Sequence, residues 1–257
     1  MSSEKVNILC LKWGKLYGPE YVNRLYAGVK KNLSRPFRFV CVTDNPEGLV
    51  EGVDAVGFPS PPPSWKHSWP NIFVKLMVFK NGFADLSGPT LFLDIDQVIT
   101  GDLGCFFDFE PGKFCIIRNW IEWRKRLFRG LPKIGNSSCF RFEAGKMNHV
   151  YEKFLSEQDK AVNRDFYTTE QVYMTHAVGL KNISWWPNGW IWSFKRNCSR
   201  IFPMNLIFTP KKPDSGARIV CFHGRPSPQQ AIEGFKGKGH LNQITRPAKW
   251  VLDYWYE

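Results

Sequence analysis

The 257-residue chain carries 35 Lys and Arg against 23 Asp and Glu, a formal charge of +12, with 43% hydrophobic residues. Such a composition is ordinary for a soluble globular protein, and the basic surplus favours an anionic partner: a nucleotide diphosphate, nucleic acid or an acidic membrane surface. No apolar run approaches the roughly 18 residues of a membrane span, and no apolar core follows Met1 as a secretory signal would require. The expected location is therefore cytoplasmic, with peripheral contact at the inner face of the membrane left open.

Seven cysteines (Cys10, Cys41, Cys105, Cys115, Cys139, Cys198, Cys221) are scattered without a CxxC pair, mostly inside strand-like runs such as Val40-Cys41-Val42. They read as reduced, buried side chains, not as a disulfide frame or a zinc site.

In chain order, Val6 to Trp13 reads as a buried strand, and Gly14 and Gly18 bracket the loop after it. Pro19 suits the first turn of a helix, in which Tyr21, Val22, Leu25, Tyr26 and Val29 recur at helical spacing. Phe37 to Asp44 is a second strand, which makes a βαβ unit and a parallel sheet. Asp44 at its end either contacts a nucleotide or caps the following Asn-Pro turn. A helix is expected from about Asn71 to Lys80. Its Lys75 either reaches a phosphate or is a solvated lysine.

Thr90 to Thr100 holds the pattern around which the rest is arranged. A buried strand, Leu91 to Leu93, runs straight into Asp94-Ile95-Asp96. On an extended chain, carboxylates at i and i+2 point the same way, here beyond the strand's carboxyl end, where open α/β sheets bind ligands. Two hard oxygen donors suit Mg²⁺ or Mn²⁺, whose remaining positions go to water and phosphate oxygens. Asp-x-Asp is a weak pattern alone, because acids commonly end strands.

Beyond it, Phe114 to Arg118 is a strand, followed by a segment in which Trp120, Ile121, Trp123, Leu127 and Phe128 alternate with Arg118, Arg124, Lys125, Arg126 and Arg129. That segment fits either a polyanion or membrane contact, or a helix with its Trp side in the core. Asn136, Ser137 and Ser138 enter the next strand as short donors and acceptors suited to sugar hydroxyls. Helices are expected over Met147–Val162 and Asp165–Val178, the second containing Glu170-Gln171. Trp190, in the Trp-rich stretch from Trp185 to Trp192, could floor a sugar or pack in the core. Finally Ala217 to Phe222 is a strand whose carboxyl end presents His223-Gly224. Asp94, Asp96 and His223 together suggest a divalent-metal site with Lys75 nearby.

At this point the chain resembles nucleotide-sugar glycosyltransferases of the GT-A fold, particularly family 8 and its bacterial and phage relatives. The pieces that carry the resemblance are Lys12-Trp13-Gly14, Val74-Lys75-Leu76, Leu93-Asp94-Ile95-Asp96, Gly135 to Ser138, Glu170-Gln171 and Phe222-His223-Gly224, in an order that spans nearly the whole chain. The resemblance implies an α/β, Rossmann-like, mixed and mainly parallel sheet flanked by helices. It implies one domain over 1–257, with a nucleotide-binding half at 1–100 and an acceptor-binding half at 101–257.

It further implies transfer of a sugar from a nucleoside-diphosphate sugar, a UDP-sugar above all, to a hydroxyl of a glycan, a lipopolysaccharide or a modified DNA base. Mn²⁺ or Mg²⁺ would sit on Asp94, Asp96 and His223. The donor would meet Lys12, Trp13, Asp44, Lys75 and Ile95, and the acceptor Asn136, Ser137, Ser138 and Trp190. Glu170 and Gln171 would lie near the reacting carbon, and the resemblance leans to retention of configuration. The family's late His-x-x-Gly-x-x-Lys-Pro-Trp signature is absent, with His223-Gly-Arg-Pro-Ser-Pro228 in its place. Two alternatives stay open. The Asp94-Ile-Asp-Gln-Val-Ile99 run also fits a haloacid-dehalogenase-type phosphatase, and the charge fits a non-catalytic nucleic-acid-binding protein.

Overall fold

The computed structural model describes residues 5–62, 65–120, 133–237 and 240–256. A first strand, β1 (Val6–Lys12), is buried along its whole length, as expected of a strand covered on both faces. Helix α1 (Pro19–Asn32) has Pro at its first turn and buries Tyr21, Val22, Leu25 and Val29, the face read from their spacing. Then β2 (Phe37–Thr43), β3 (Val53–Val56) and β4 (Gly88–Leu93) all run parallel with β1, as right-handed crossovers dictate.

The sheet is completed by β6 (Phe114–Arg118), β7 (Gly135–Ala144) and β8 (Ile183–Trp185), in the order β3-β2-β1-β4-β7-β6-β8. Only β7 is antiparallel to its neighbours among these described strands. A second sheet joins β5 (Gln97–Ile99), β10 (Ile219–Cys221) and β9 (Ile191–Ser193) in the order β5-β10-β9. The expected mixed, mainly parallel α/β sheet is the one observed.

Alternation along the strands divides the core into two layers. Ile8, Cys10, Leu91 and Leu93 face α1, α3 (Gly104–Asp108) and the small sheet. Leu9, Leu11, Phe92, Phe140 and Phe142 face α2 (Val74–Met77), α4 (Asn148–Ser156) and α6 (Glu170–Val178). All seven cysteines are free, and six of them are buried.

Three expected helices are shorter than their apolar patterns. The span from Asn71 to Lys80 forms one helical turn between two non-helical turns, with every residue from Val74 to Phe79 buried. Packing on all sides, not an amphipathic face, fixes this segment. The span 147–162 breaks at Glu157 into α4 and a short α5 (Gln158–Val162). The third helix begins only at Glu170.

Candidate functional site at the junction of the two sheets

The acid pair stands where the chain leaves one sheet for the other. Pairing with β7 persists one residue past β4, because the Asp94 N–H donates to the Ser138 carbonyl at 2.9 Å. The chain then turns, with the Gln97 N–H donating to the Asp94 carbonyl at 3.3 Å, and continues as β5 of the small sheet. Asp94 and Asp96 therefore lie on a tight turn, not on the extended chain that their spacing suggested. Ile95 between them is buried in the core, so its side chain is not presented to a ligand.

The partner strand is distorted at the matching point. Opposite β6, the register of β7 jumps from Phe140 against Ile116 to Asn136 against Ile117, which takes Ser137 and Ser138 out of that ladder. Gly135 begins the strand so close to Ile116 that a Cβ would lie 2.6 Å from its Cδ1. Asn136 steadies the bulge, its Oδ1 accepting from the Ser138 N–H at 3.0 Å.

Five residues singled out in the sequence meet across this bulge. Lys75 is buried, and its Nζ lies 2.7 Å from Asp94 Oδ1 and 3.4 Å from both the carbonyl and the hydroxyl of Ser137. Ser137 Oγ donates to Glu170 Oε1 at 2.7 Å, and its N–H donates to Gln171 Oε1 at 3.4 Å. Lys75 is thus an internal counter-ion and not the solvated lysine of the alternative reading. Burial opposes its charge, yet Asp94 first, then Glu170 and Asp96, hold its pKa above the usual lysine value.

Asp96 is in the contrary position. Burial and the neighbouring Asp94 charge push its pKa up to about 8, although Lys75 and a hydrogen bond from Tyr17 pull the other way. That hydrogen bond is long, Tyr17 OH donating to Asp96 Oδ2 at 3.3 Å. Two carboxylates share one turn with a single ammonium against one of them, a donor set suited to a hard divalent cation.

His223 reaches the same rim by topology. β9 and β10 are parallel, so their carboxyl ends lie together, and β5 starts there because Cys221 pairs with Gln97. The imidazole does not join the acids, however. Its Nε2 lies 2.5 Å from Ser193 Oγ, and its ring stacks on Trp120 at 5.3 Å between centroids. Among the described residues no three His, Cys, Asp or Glu side chains form a metal-ion cluster. Burial, then Lys195 and Arg196, push the His223 pKa down to about 4, so the ring is neutral at pH 7. Lys195 follows β9 and approaches Gly224, whose positive φ of 78° leaves its backbone bare; a Cβ there would lie 3.2 Å from Lys195 Nζ.

The remaining sequence candidates have other surroundings. Asp44 does not cap its own turn; its Oδ2 accepts from the Gly14 N–H at 2.9 Å and ties down the loop after β1. Asn45 makes the turn instead, accepting from Glu47. Lys12 is buried at the end of β1, and Trp13 packs edge-on against Phe58. Trp190 packs against Phe106, Phe109 and Trp186, the core alternative for that stretch. Arg118 lies over the Trp185 ring at 4.3 Å. Arg124, Lys125 and Arg126 lie outside the described residues.

Sequence reading missed Tyr17, Ser193, Lys195 and Gln97, whose buried amide donates to the Ser138 carbonyl. Tyr17 had a usable signal, since it lies in the Gly14–Gly18 loop at the carboxyl end of β1.

No family model and no curated protein sequence matches the chain. Solved structures do share its fold. The galactosyltransferase LgtC, solved with donor and acceptor sugar analogues, superposes with a TM-score of 0.54 at 14% identity, covering 86% of this chain and 88% of that one. The glycosyltransferase GlyE of Streptococcus pneumoniae TIGR4 gives 0.60 at 10% identity, over 97% of this chain and 60% of its own. The bifunctional glycosyltransferase WbbM gives 0.57 at 10% identity, over 87% and 46%. The chain therefore spans about half of WbbM, somewhat more of GlyE and most of LgtC.

Proposed function

We propose that the protein is a glycosyltransferase that takes a sugar from a nucleoside-diphosphate donor, a UDP-sugar foremost, to a hydroxyl acceptor. The observation that carries this reading is the continuous contact from Asp94 through Lys75 and Ser137 to Glu170 and Gln171, at the carboxyl end of β4. It puts a cation-seeking acid pair and a set of sugar-sized polar groups in one place on a fold shared with solved transferases. The phosphatase alternative gains nothing comparable, because β4 is the fourth strand of the chain and not the first.

Asp94 and Asp96 are the residues to hold Mn²⁺ or Mg²⁺, and the Nε2 of His223 can add a third donor by exchanging Ser193 for the cation. A bound divalent cation would neutralise charge gathering on the departing diphosphate. The chain's own groups do the rest. Lys75 pairs with Asp94 as its counter-ion, Ser137 and Gln171 position sugar hydroxyls, and Lys195 supplies positive charge at the far rim. With its Oε1 engaged by Ser137, Glu170 serves as a positioning group, which agrees with transfer by retention and its lack of need for a base.

Calorimetry with UDP, GDP and CDP, with and without Mn²⁺, tests this reading. Cation-enhanced binding of one diphosphate, lost in Asp96→Asn, is expected. Failure of all three to bind would remove it.

A further inference from the structure

Beyond Lys195, the stretch from Arg200 to Phe208 has a character of its own. Ile201, Phe202, Met204, Ile207 and Phe208 are each between 50 and 77% exposed. They are five of the twelve large hydrophobic side chains exposed among the described residues, gathered within eight positions. Single exposed apolar residues are normal, but a cluster of this size marks an interaction surface.

The protrusion that carries them is held in shape. At its base the Lys211 N–H donates to the Cys198 carbonyl at 2.7 Å, and Arg200 Nε donates to the Thr209 carbonyl at 3.1 Å. Inside it the Phe208 N–H donates to the Met204 carbonyl at 2.9 Å. Buried Asn205 anchors it to the rest of the fold, its Nδ2 donating to the carbonyls of Leu241 and Ile244 at 2.7 and 2.9 Å. The apolar side chains face water from a fixed backbone, not from a frayed loop.

Charge indicates what covers them. Residues 195–212 contain Lys195, Arg196, Arg200, Lys211 and Lys212 and no Asp or Glu. Lys212 is partly neutralised by Asp253 at 2.8 Å. An apolar tip between cationic shoulders matches an anionic bilayer, where hydrocarbon enters the headgroup boundary and ammonium groups meet phosphate. A second copy of the same patch would bring like charges together.

We infer that residues 200–208 dock this protein on an anionic membrane surface. The inference goes beyond the transferase reading and does not depend on it.

The test is flotation of the full chain with phosphatidylcholine vesicles, alone or mixed in equal parts with phosphatidylglycerol. Binding to the mixed vesicles that declines with salt is expected, together with weak binding to the neutral ones. The double variant Phe202→Ser, Ile207→Ser alters only exposed positions, so it folds, and it should bind at least about tenfold more weakly. Equal binding by the variant would move the membrane contact elsewhere in the chain and overturn the assignment. No binding by the unaltered protein, or a dimer in sedimentation that the double variant dissolves, would overturn it as well.

Discussion

Lys75 Nζ lies 2.7 Å from Asp94 Oδ1, and the lysine is buried while the aspartate side chain is partly exposed. The acid pair thus rests on a cation supplied by the chain itself. Lys75→Met keeps the length of the side chain and removes its charge, leaving Asp94 against its neighbour Asp96. Transfer should fall by about a hundredfold or more. Stability without added cation should drop by roughly 2 kcal/mol, less than for a fully buried pair because Asp94 is 27% exposed. Chemical unfolding and a donor-consumption assay measure the two effects, and an unchanged rate would detach Lys75 from the site.

Glu170 separates two ways of running the reaction. Its Oε1 is occupied by Ser137 and its charge helps to keep Lys75 protonated. Glu170→Gln preserves the acceptor oxygen, so kcat should stay within about tenfold and the pH profile should keep its shape. A loss of about a hundredfold to ten-thousandfold is what removal of a general base costs. Such a loss would make Glu170 the base of an inverting transfer.

Lys195 lies beside Gly224, next to His223 at the carboxyl end of β10. Among the described residues it has no ion pair or hydrogen bond, and partial burial followed by Arg196 lowers its pKa. Lys195→Ala should raise KM for the donor by about tenfold with a smaller change in kcat, the mark of a lost charge-assisted contact. Because Lys195 also depresses His223, the variant should titrate that imidazole above about 4, visible by NMR. An unmoved His223 titration and an unmoved KM would show that Lys195 is a surface residue only.

Much of this arrangement could be read from the chain. The i, i+3, i+4 face of α1 and the continuous apolar runs of β1 and β4 are local signals, and local signals survive folding. The acid pair was legible because it closes such a run. Lys75 was legible as a neighbour of the acids but not as their buried counter-ion, since a ten-residue helix would have given it a wet face, whereas the single turn that forms is buried all round. The Ser193–His223 contact spans 30 residues of sequence, and nothing in either neighbourhood announces the other. The β7 bulge that turns Ser137 toward Lys75 and Glu170 is likewise a property of pairing and not of its own residues.

Arg141 was invisible for the same reason, and it ties α3 and the loop after it to β7. It is 1% exposed and has no carboxylate partner among the described residues. Instead its guanidinium donates to the carbonyls of Phe106 and Phe109 at 2.6 Å, Lys113 at 3.1 Å and Phe107 at 3.4 Å, and also to that of Glu110. Arg141→Leu would leave these carbonyls without a donor and should cost about 3 kcal/mol or more in urea unfolding. Arg141→Lys should recover little, because one ammonium cannot span a fork of five acceptors. A loss below about 1 kcal/mol in either variant would mean that water replaces the guanidinium.

Asp96 couples the site to pH. Its folded pKa is raised to about 8, by burial first and the Asp94 charge second, from an ordinary 3.8. Between those values the unfolded chain has released the proton while the folded protein keeps it. The contribution of Asp96 to stability therefore falls as pH rises through that window and levels off above about 8. A divalent cation on the two carboxylates competes with that same proton. The rise in Tm produced by Mn²⁺ should accordingly be larger at about pH 9 than at about pH 6, and Asp96→Asn should abolish both the cation effect and its pH dependence. Calorimetric scans of the two proteins at both pH values decide the matter. If Mn²⁺ shifts Tm equally at both, or shifts the variant as much as the parent, the cation binds elsewhere and the acid turn is held together by Lys75 alone.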